Sequence, residues 1–174
     1  MRRDTAFLDA SVLYPAPLRD LLLELLPSVV STEARRAEWR DLLSTTWQLV
    51  VKTRSLHFAS LRAAPVGTTD RVPDPGDRHV LAAAIKGQAD IIVTSNLKDF
   101  PANALERWGI EAQHPDEFLT RQFHLLPPVF LDAVKTVRLR LRNPPKSVAE
   151  YLDTLRAQGL LATVDEIAPF GQFI

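Results

Sequence analysis

Short apolar runs alternate with helical-period stretches over roughly the first two thirds of the chain, and helical spacing dominates the rest. Thr5 to Leu8 is brief, apolar and closed by Asp9, with Ser11 and Tyr14-Pro15-Ala16-Pro17 following. That pattern predicts a buried strand that hands an acid to a loop. Leucines at 18, 21, 22, 25 and 26 repeat with helical period, and Pro27 is expected to stop their helix because it lacks an N–H and crowds the preceding turn. Ser28 to Val30 reads as a minimal strand or an extended link. Ser31 or Thr32 suits the N-cap of a helix reaching Leu43, with Ala34, Trp39, Leu42 and Leu43 turned inward and Glu38 beside them. A third helical stretch covers about Trp47 to Leu61, and the loosely extended residues after it break at Pro73-Asp74-Pro75-Gly76, a turn composition.

Asp77 then stands where it can cap a helix over Arg78 to Lys86, whose Val80, Leu81, Ala84 and Ile85 form a narrow apolar face and whose alanines permit close approach to a sheet. Gly87 is expected to end it. Ile91 to Thr94 is apolar enough for a central parallel strand, with Asn96-Leu97-Lys98-Asp99 as the turn above it. A short helix closing over Leu105 to Gly109, an edge strand near Ile110-Glu111-Ala112 and a helix from Pro115 to about His124 follow. This alternation predicts an α/β fold built on a doubly wound parallel sheet. Beyond Leu126 the character changes. Phe130, Val134, Val137 and Leu141 favour helix, although residues 137–142 also alternate with strand period. Ser147-Val148-Ala149-Glu150 is a capping box for a helix with Tyr151, Leu152 and Leu155 that ends at Gly159. The expected organisation is one α/β domain over residues 1–125 and a helical C-terminal extension over residues 126–174, packed on or beside it.

Charge narrows the chemistry. Lysine plus arginine and aspartate plus glutamate each number 21, so net charge does not argue for a polyanionic partner and only local clusters can. Without cysteine there is neither a disulfide framework nor a thiolate metal site, and four scattered histidines do not suggest zinc. No apolar run approaches the ~18 residues of a membrane span, and the N-terminus lacks a signal peptide's apolar region, so a cytoplasmic protein is expected.

Asp9, Glu38, Asp77 and Asp99 all fall near the junctions of loops with regular structure, with Asp74 and Asn96 nearby. Right-handed crossovers would bring the carboxyl ends of parallel strands to one sheet edge, where such acids can converge. Crowded carboxylates either bind protons or hold a hard cation, and oxygen donors alone suit magnesium or manganese. Each acid also has a plainer use: Asp77 as a helix cap, Asp99 as a turn residue, Glu38 as solvated helix surface. Ser11 can orient Asp9 or complete its turn, and Thr94 can be an ordinary β-branched strand residue. The phosphate-binding glycine loops and the nucleophile elbow are missing from the sequence.

Phe7-Leu8-Asp9-Ala10-Ser11-Val12-Leu13-Tyr14-Pro15, Asp77-Arg78-His79-Val80-Leu81-Ala82-Ala83-Ala84 and Ile92-Val93-Thr94-Ser95-Asn96-Leu97-Lys98-Asp99-Phe100 together resemble the three main motifs of PIN-domain proteins. Within that family the chain is similar to VapC-like toxin ribonucleases with a helical C-terminal extension. The resemblance implies a three-layer α/β/α sandwich around a central parallel sheet, with the C-terminal helices added. It implies a divalent-metal endoribonuclease that uses magnesium or manganese and leaves a 5′-phosphate and a 3′-hydroxyl. Asp9, Asp77 and Asp99 match the family's metal-binding acids, and Glu38, followed by Trp39, fits the helix-borne glutamate better than Glu33. Ser11, Thr94 and Asn96 are supporting residues and Asp74 an auxiliary acid, whereas Gly76 stands where a further acid is usual. Implied partners are RNA, a small antitoxin protein and a second copy of the chain in a homodimer. For RNA, Lys98 and Arg78 lie near the motifs, and Lys135, Arg138, Arg140 and Arg142 form a run that would otherwise be a solvated helix face. The alternatives are a PIN-like module that binds RNA or a protein without cutting, and a phosphoryl-accepting receiver using Asp9, for which Lys98 is a poor phosphate-pairing lysine.

Overall fold

A computed structural model describes residues 6–29, 76–86 and 89–174, without the side chains of 26–29 and 86. Glu38 and Asp74, the helices expected between Thr32 and Leu61, and Gly87 lie outside the described residues. In chain order the described elements are strand β1 (Ala6–Leu8), helix α1 (Ala10–Leu13), α2 (Ala16–Val29), α3 (Arg78–Lys86), β2 (Ile91–Val93), α4 (Ala102–Leu105), β3 (Glu111–Gln113), α5 (Pro115–Leu125), α6 (Pro127–Arg140), α7 (Val148–Arg156) and α8 (Leu161–Ile167). Single 3₁₀ turns cover Leu97–Asp99 and Glu106–Trp108, and a longer 3₁₀ segment covers Ala168–Phe173. Most described residues are therefore helical, with one small parallel sheet, compatible with the expected α/β class. By contact density the chain forms two compact units, one holding the described residues 6–10, 76–86 and 89–114, the other 11–29 and 115–174.

The first unit contains the sheet, in the order β1-β2-β3 with every pairing parallel. Its register is continuous across the strands: Ala6, Ile91 and Glu111 stand side by side, then Phe7, Ile92 and Ala112, then Leu8, Val93 and Gln113. Central β2 is buried along its whole length, as expected of a strand covered on both faces. Against one face lies a core of Val80, Leu81 and Ala84 from α3 with Ile92, Phe100, Leu105 and Ile110, and Phe7 and Ala112 pack onto it. Ala84 is fully buried, which is the close approach its missing bulk permits. Helix α3 precedes β2 in the chain and packs against it.

The second unit is helical. Helix α2 packs on α6 and α7, α5 packs on α6 and α8, and α8 packs on α7. Leu18, Leu21, Leu22 and Leu25 of the leucine stripe are buried, as are Phe130, Val134 and Val137 of α6 and Tyr151, Leu152 and Leu155 of α7. Full burial of each such side chain contributes about 1.5–3 kcal/mol. Phe123 meets Phe130 edge-on with ring centroids 5.6 Å apart. The Tyr151 phenol is pushed well above its ordinary range, mainly by burial and further by the neighbouring Asp20 carboxylate, so it stays neutral.

Two expectations are corrected in this unit. Pro27 does not stop its helix, and Ser28 with Val29 is neither strand nor link, because α2 continues through Val29. Proline's own φ is helical, and near a helix end it removes one hydrogen bond, the one to the carbonyl four residues back. The two-way pattern at residues 137–142 resolves as helix through Arg140, with Arg142 forming an isolated antiparallel bridge to Pro145.

The capping box forms as the spacing predicts. The Glu150 N–H donates to the Ser147 hydroxyl oxygen at 3.3 Å, and the Ser147 N–H donates to the Glu150 carboxylate at 2.8 Å. The Ser147 side chain and then its backbone N–H hold the Glu150 carboxyl below its ordinary value of 4.5. Its contribution is thus present above the ordinary value and lost as pH falls through the lowered one. Ser147→Ala is expected to reduce stability by about 1 kcal/mol in urea titration at neutral pH.

Candidate functional site

The register of the sheet brings the residues just beyond the three strands into one row at the carboxyl edge. The Asp9 N–H donates to the Val93 carbonyl and the Thr94 N–H to the Gln113 carbonyl, each at 3.0 Å, so the ladder continues one step past the strands. Asp9 is only 8% exposed and Thr94 is fully buried. Across this step the Thr94 hydroxyl donates to Asp9 Oδ2 at 2.9 Å. The same hydroxyl oxygen accepts the Asn96 N–H at 3.1 Å, which ties the turn after β2 to the acid after β1. Thr94 is therefore more than a β-branched strand residue.

Beyond it, the Asn96 side-chain amide donates to Asp99 Oδ2. The Asp99 N–H donates back to the Asn96 carbonyl at 3.1 Å, closing the 3₁₀ turn that carries Lys98 at its exposed surface. Asp77 immediately precedes α3 and its carbonyl accepts the Val80 N–H at 2.9 Å. His79 Nδ1 donates to the Gly76 carbonyl, so this histidine holds the turn before the helix. Asp9 follows β1 and Asp99 lies in the turn after β2, while Asp77 immediately precedes α3, which packs on β2.

Among the described residues no three acid or histidine side chains are gathered as a metal-binding group. Asp9, Asp77 and Asp99 do not make one by themselves, and Glu38 lies outside the described residues. The donor chemistry still suits a hard divalent cation: the ligand types at this edge are carboxylate, hydroxyl and amide oxygens, and the protein has no cysteine. Asp9, largely taken out of water, accepts a hydrogen bond from the neutral Thr94 hydroxyl.

Thr94→Val keeps the shape of the side chain while removing the donor to Asp9 and the acceptor for the Asn96 N–H. It is expected to lower stability by about 1–2 kcal/mol, and Thr94→Ser is expected to restore most of that in the same denaturant titration.

The other predicted contacts are distributed differently. Arg78, half-buried, opens α3 in the first unit. Ser11 belongs to the second unit, as do Lys135, Arg138, Arg140 and Arg142. There Arg138 donates to the Lys146 carbonyl at 3.0 Å and the Ile174 carbonyl at 3.2 Å, so its guanidinium closes the end of α6 onto the later chain. Arg140 pairs with Glu24 at 2.6 Å, while Lys135 and Arg142 are exposed. The sequence reading did not single out His114, which follows β3 and precedes Pro115; its only linear signal is that position.

Residues 115–169 match the family description of the VapC50 C-terminal domain, a span lying wholly in the second unit. A curated relative, "Putative ribonuclease VapC50" of Mycobacterium tuberculosis (strain ATCC 25618 / H37Rv), is 44% identical over 86 residues, covering 47% of this chain and 48% of the relative. The chain thus spans about half the length of that relative. No solved structure matches.

Proposed function

On the premise that this chain is a VapC-like member of the PIN family, which both similarities support, we propose that it is a divalent-metal-dependent endoribonuclease acting as the toxin of a type II toxin–antitoxin pair. The observation that carries this reading is the buried Asp9 carboxylate at the sheet's carboxyl edge, held by Thr94, with Asp99 in the turn after β2 and Asp77 just before α3. Asp9, Asp77, Asp99 and Glu38 would hold magnesium or manganese. When bound, such an ion polarises a phosphodiester and lowers the pKa of a coordinated water.

The chain's own residues do the rest. Thr94 fixes one Asp9 oxygen by donating its hydroxyl to it. Asn96 holds Asp99 in the same way within its turn. Ser11 and Asp74 match the supporting positions that the resemblance implies. Lys98 at the turn's surface, Arg78 at the start of α3, and Lys135, Arg138, Arg140 and Arg142 supply positive charge for the RNA backbone. The three-layer sandwich, the small antitoxin partner, a homodimer and a cytoplasmic setting complete the proposal. Among the described residues no helix is long and apolar enough to cross a membrane.

A second reading has one observation in its favour. The described acids do not by themselves gather as a metal group, which suits a module that binds RNA or a protein without cutting. Incubating the pure protein with structured RNA and either magnesium or manganese separates the two. Fragments ending in 5′-phosphate support the nuclease, and retarded but intact RNA supports the binding module.

A further inference from the structure

The row at the carboxyl edge has a third member. Asp9, Thr94 and His114 each follow the last paired residue of their strands, Leu8, Val93 and Gln113. Side chains alternate along a strand, so Asp9, Thr94 and His114 fall in phase with Phe7, Ile92 and Ala112, the residues that face the core beneath α3. The hydrogen bond from Thr94 to Asp9 shows that the first two keep this phase beyond the ladder. Pro115 biases His114 towards the extended backbone that continues this alternation. All three lie in the same compact unit.

We infer that His114 is a substrate-binding residue whose imidazole donates a hydrogen bond to an RNA phosphate flanking the scissile one. The inference rests on the nuclease reading above and extends its substrate contacts. Two strand spacings separate His114 from Asp9, about 10 Å. That is too far for His114 to touch the bond being broken at Asp9 and suits a neighbouring nucleotide. The edge is otherwise rich in carboxylates, which repel a polyanion, so a donor in the row serves recognition. An imidazole has two ring nitrogens; one can be engaged within the protein while the other meets the ligand. Half-burial restricts the ring without removing it from the surface.

The test compares His114→Ala and His114→Gln with the unsubstituted protein on a short RNA oligonucleotide. Loss of one charge-assisted hydrogen bond is expected to raise KM about tenfold in His114→Ala. The expected kcat is nearly unchanged, and His114→Gln, which keeps an N–H donor, recovers most of the affinity. An unchanged KM in His114→Ala, or a glutamine variant no better than alanine, overturns the inference. Fluorescence anisotropy of the same RNA, with each substitution placed in an Asp9→Asn background, measures binding without cleavage. A protein that never cuts but loses about tenfold in affinity on His114→Ala keeps the binding role of His114 and abandons the nuclease reading. Equal anisotropy curves overturn the role of His114 and leave the nuclease reading untouched.

Discussion

Asp9→Asn is expected to lower RNA cleavage by at least about 10²–10³-fold while leaving the protein folded, and removal of divalent metal by EDTA is expected to abolish cleavage in the unsubstituted protein. Asparagine nearly matches aspartate in shape, and its amide oxygen can still accept the Thr94 hydroxyl that Asp9 accepts at 2.9 Å. What disappears is the negative charge. A neutral amide is a weak ligand for a hard dication, and loss of one electrostatic contributor at a reacting phosphate has effects of this size. Initial rates on a labelled oligonucleotide give the loss, and thermal melting shows that the fold survives. Cleavage that continues in Asp9→Asn, or in EDTA, would sink the metal-dependent mechanism. Cleavage in neither variant nor parent, with RNA still bound, would leave the binding module.

The second large effect is structural. Asp116, in the first turn of α5, reaches the amino end of α8: its carboxylate accepts the Ala162 N–H at 2.9 Å, the Thr163 N–H at 2.8 Å and the Thr163 hydroxyl at 2.7 Å. Leu160, the residue at the cap position of α8, has no side-chain acceptor to offer. Asp116 therefore acts as an N-cap supplied from another helix, with its negative charge at the positive end of α8. Thr163 is fully buried, so its N–H cannot turn to water if the carboxylate is removed, whereas its hydroxyl keeps the Asp116 carbonyl and the Thr120 hydroxyl within reach. Asp116→Ala is expected to cost about 3 kcal/mol, the sum of a lost cap and a buried donor left unmet. Asp116→Asn, with one amide oxygen in place of two carboxylate oxygens, is expected to recover only part. Urea unfolding gives both values; a cost for Asp116→Ala near that of an ordinary surface substitution would show the carboxylate to be dispensable.

Those two aspartates mark how far linear reading reached. Asp9 was legible because a short apolar run ended on an acid, and a side chain leaving the carboxyl end of a strand has few structural duties. Asp116 was not legible as a cap, since its partners are 46 and 47 positions away. For the same reason α8 escaped the sequence reading: without Ser, Thr, Asp or Asn at Leu160 it has no local start signal. By contrast α3 matches its expected bounds of Arg78 and Lys86, having a turn before it and a period of apolar residues within it. The edge strand near Ile110 to Ala112 lies one residue later, at Glu111–Gln113, because the ladder with β2 sets the register that a mostly polar run cannot announce.

What the linear chain determined by itself is what local chemistry determines: the helix spacing, the Ser147 capping box, the apolar central strand, and oxygen rather than sulfur as donor chemistry. Tertiary structure decided which distant residues share a place. Parallel pairing set Asp9, Thr94 and His114 in one row although 85 residues separate the first two. It also engaged Arg138 with backbone carbonyls that no charge pattern could foresee. The physical reason is the same in each case. Periodicity and capping act within a turn or two of the chain, whereas hydrogen-bond satisfaction of buried groups is settled only when the surfaces that bury them have met.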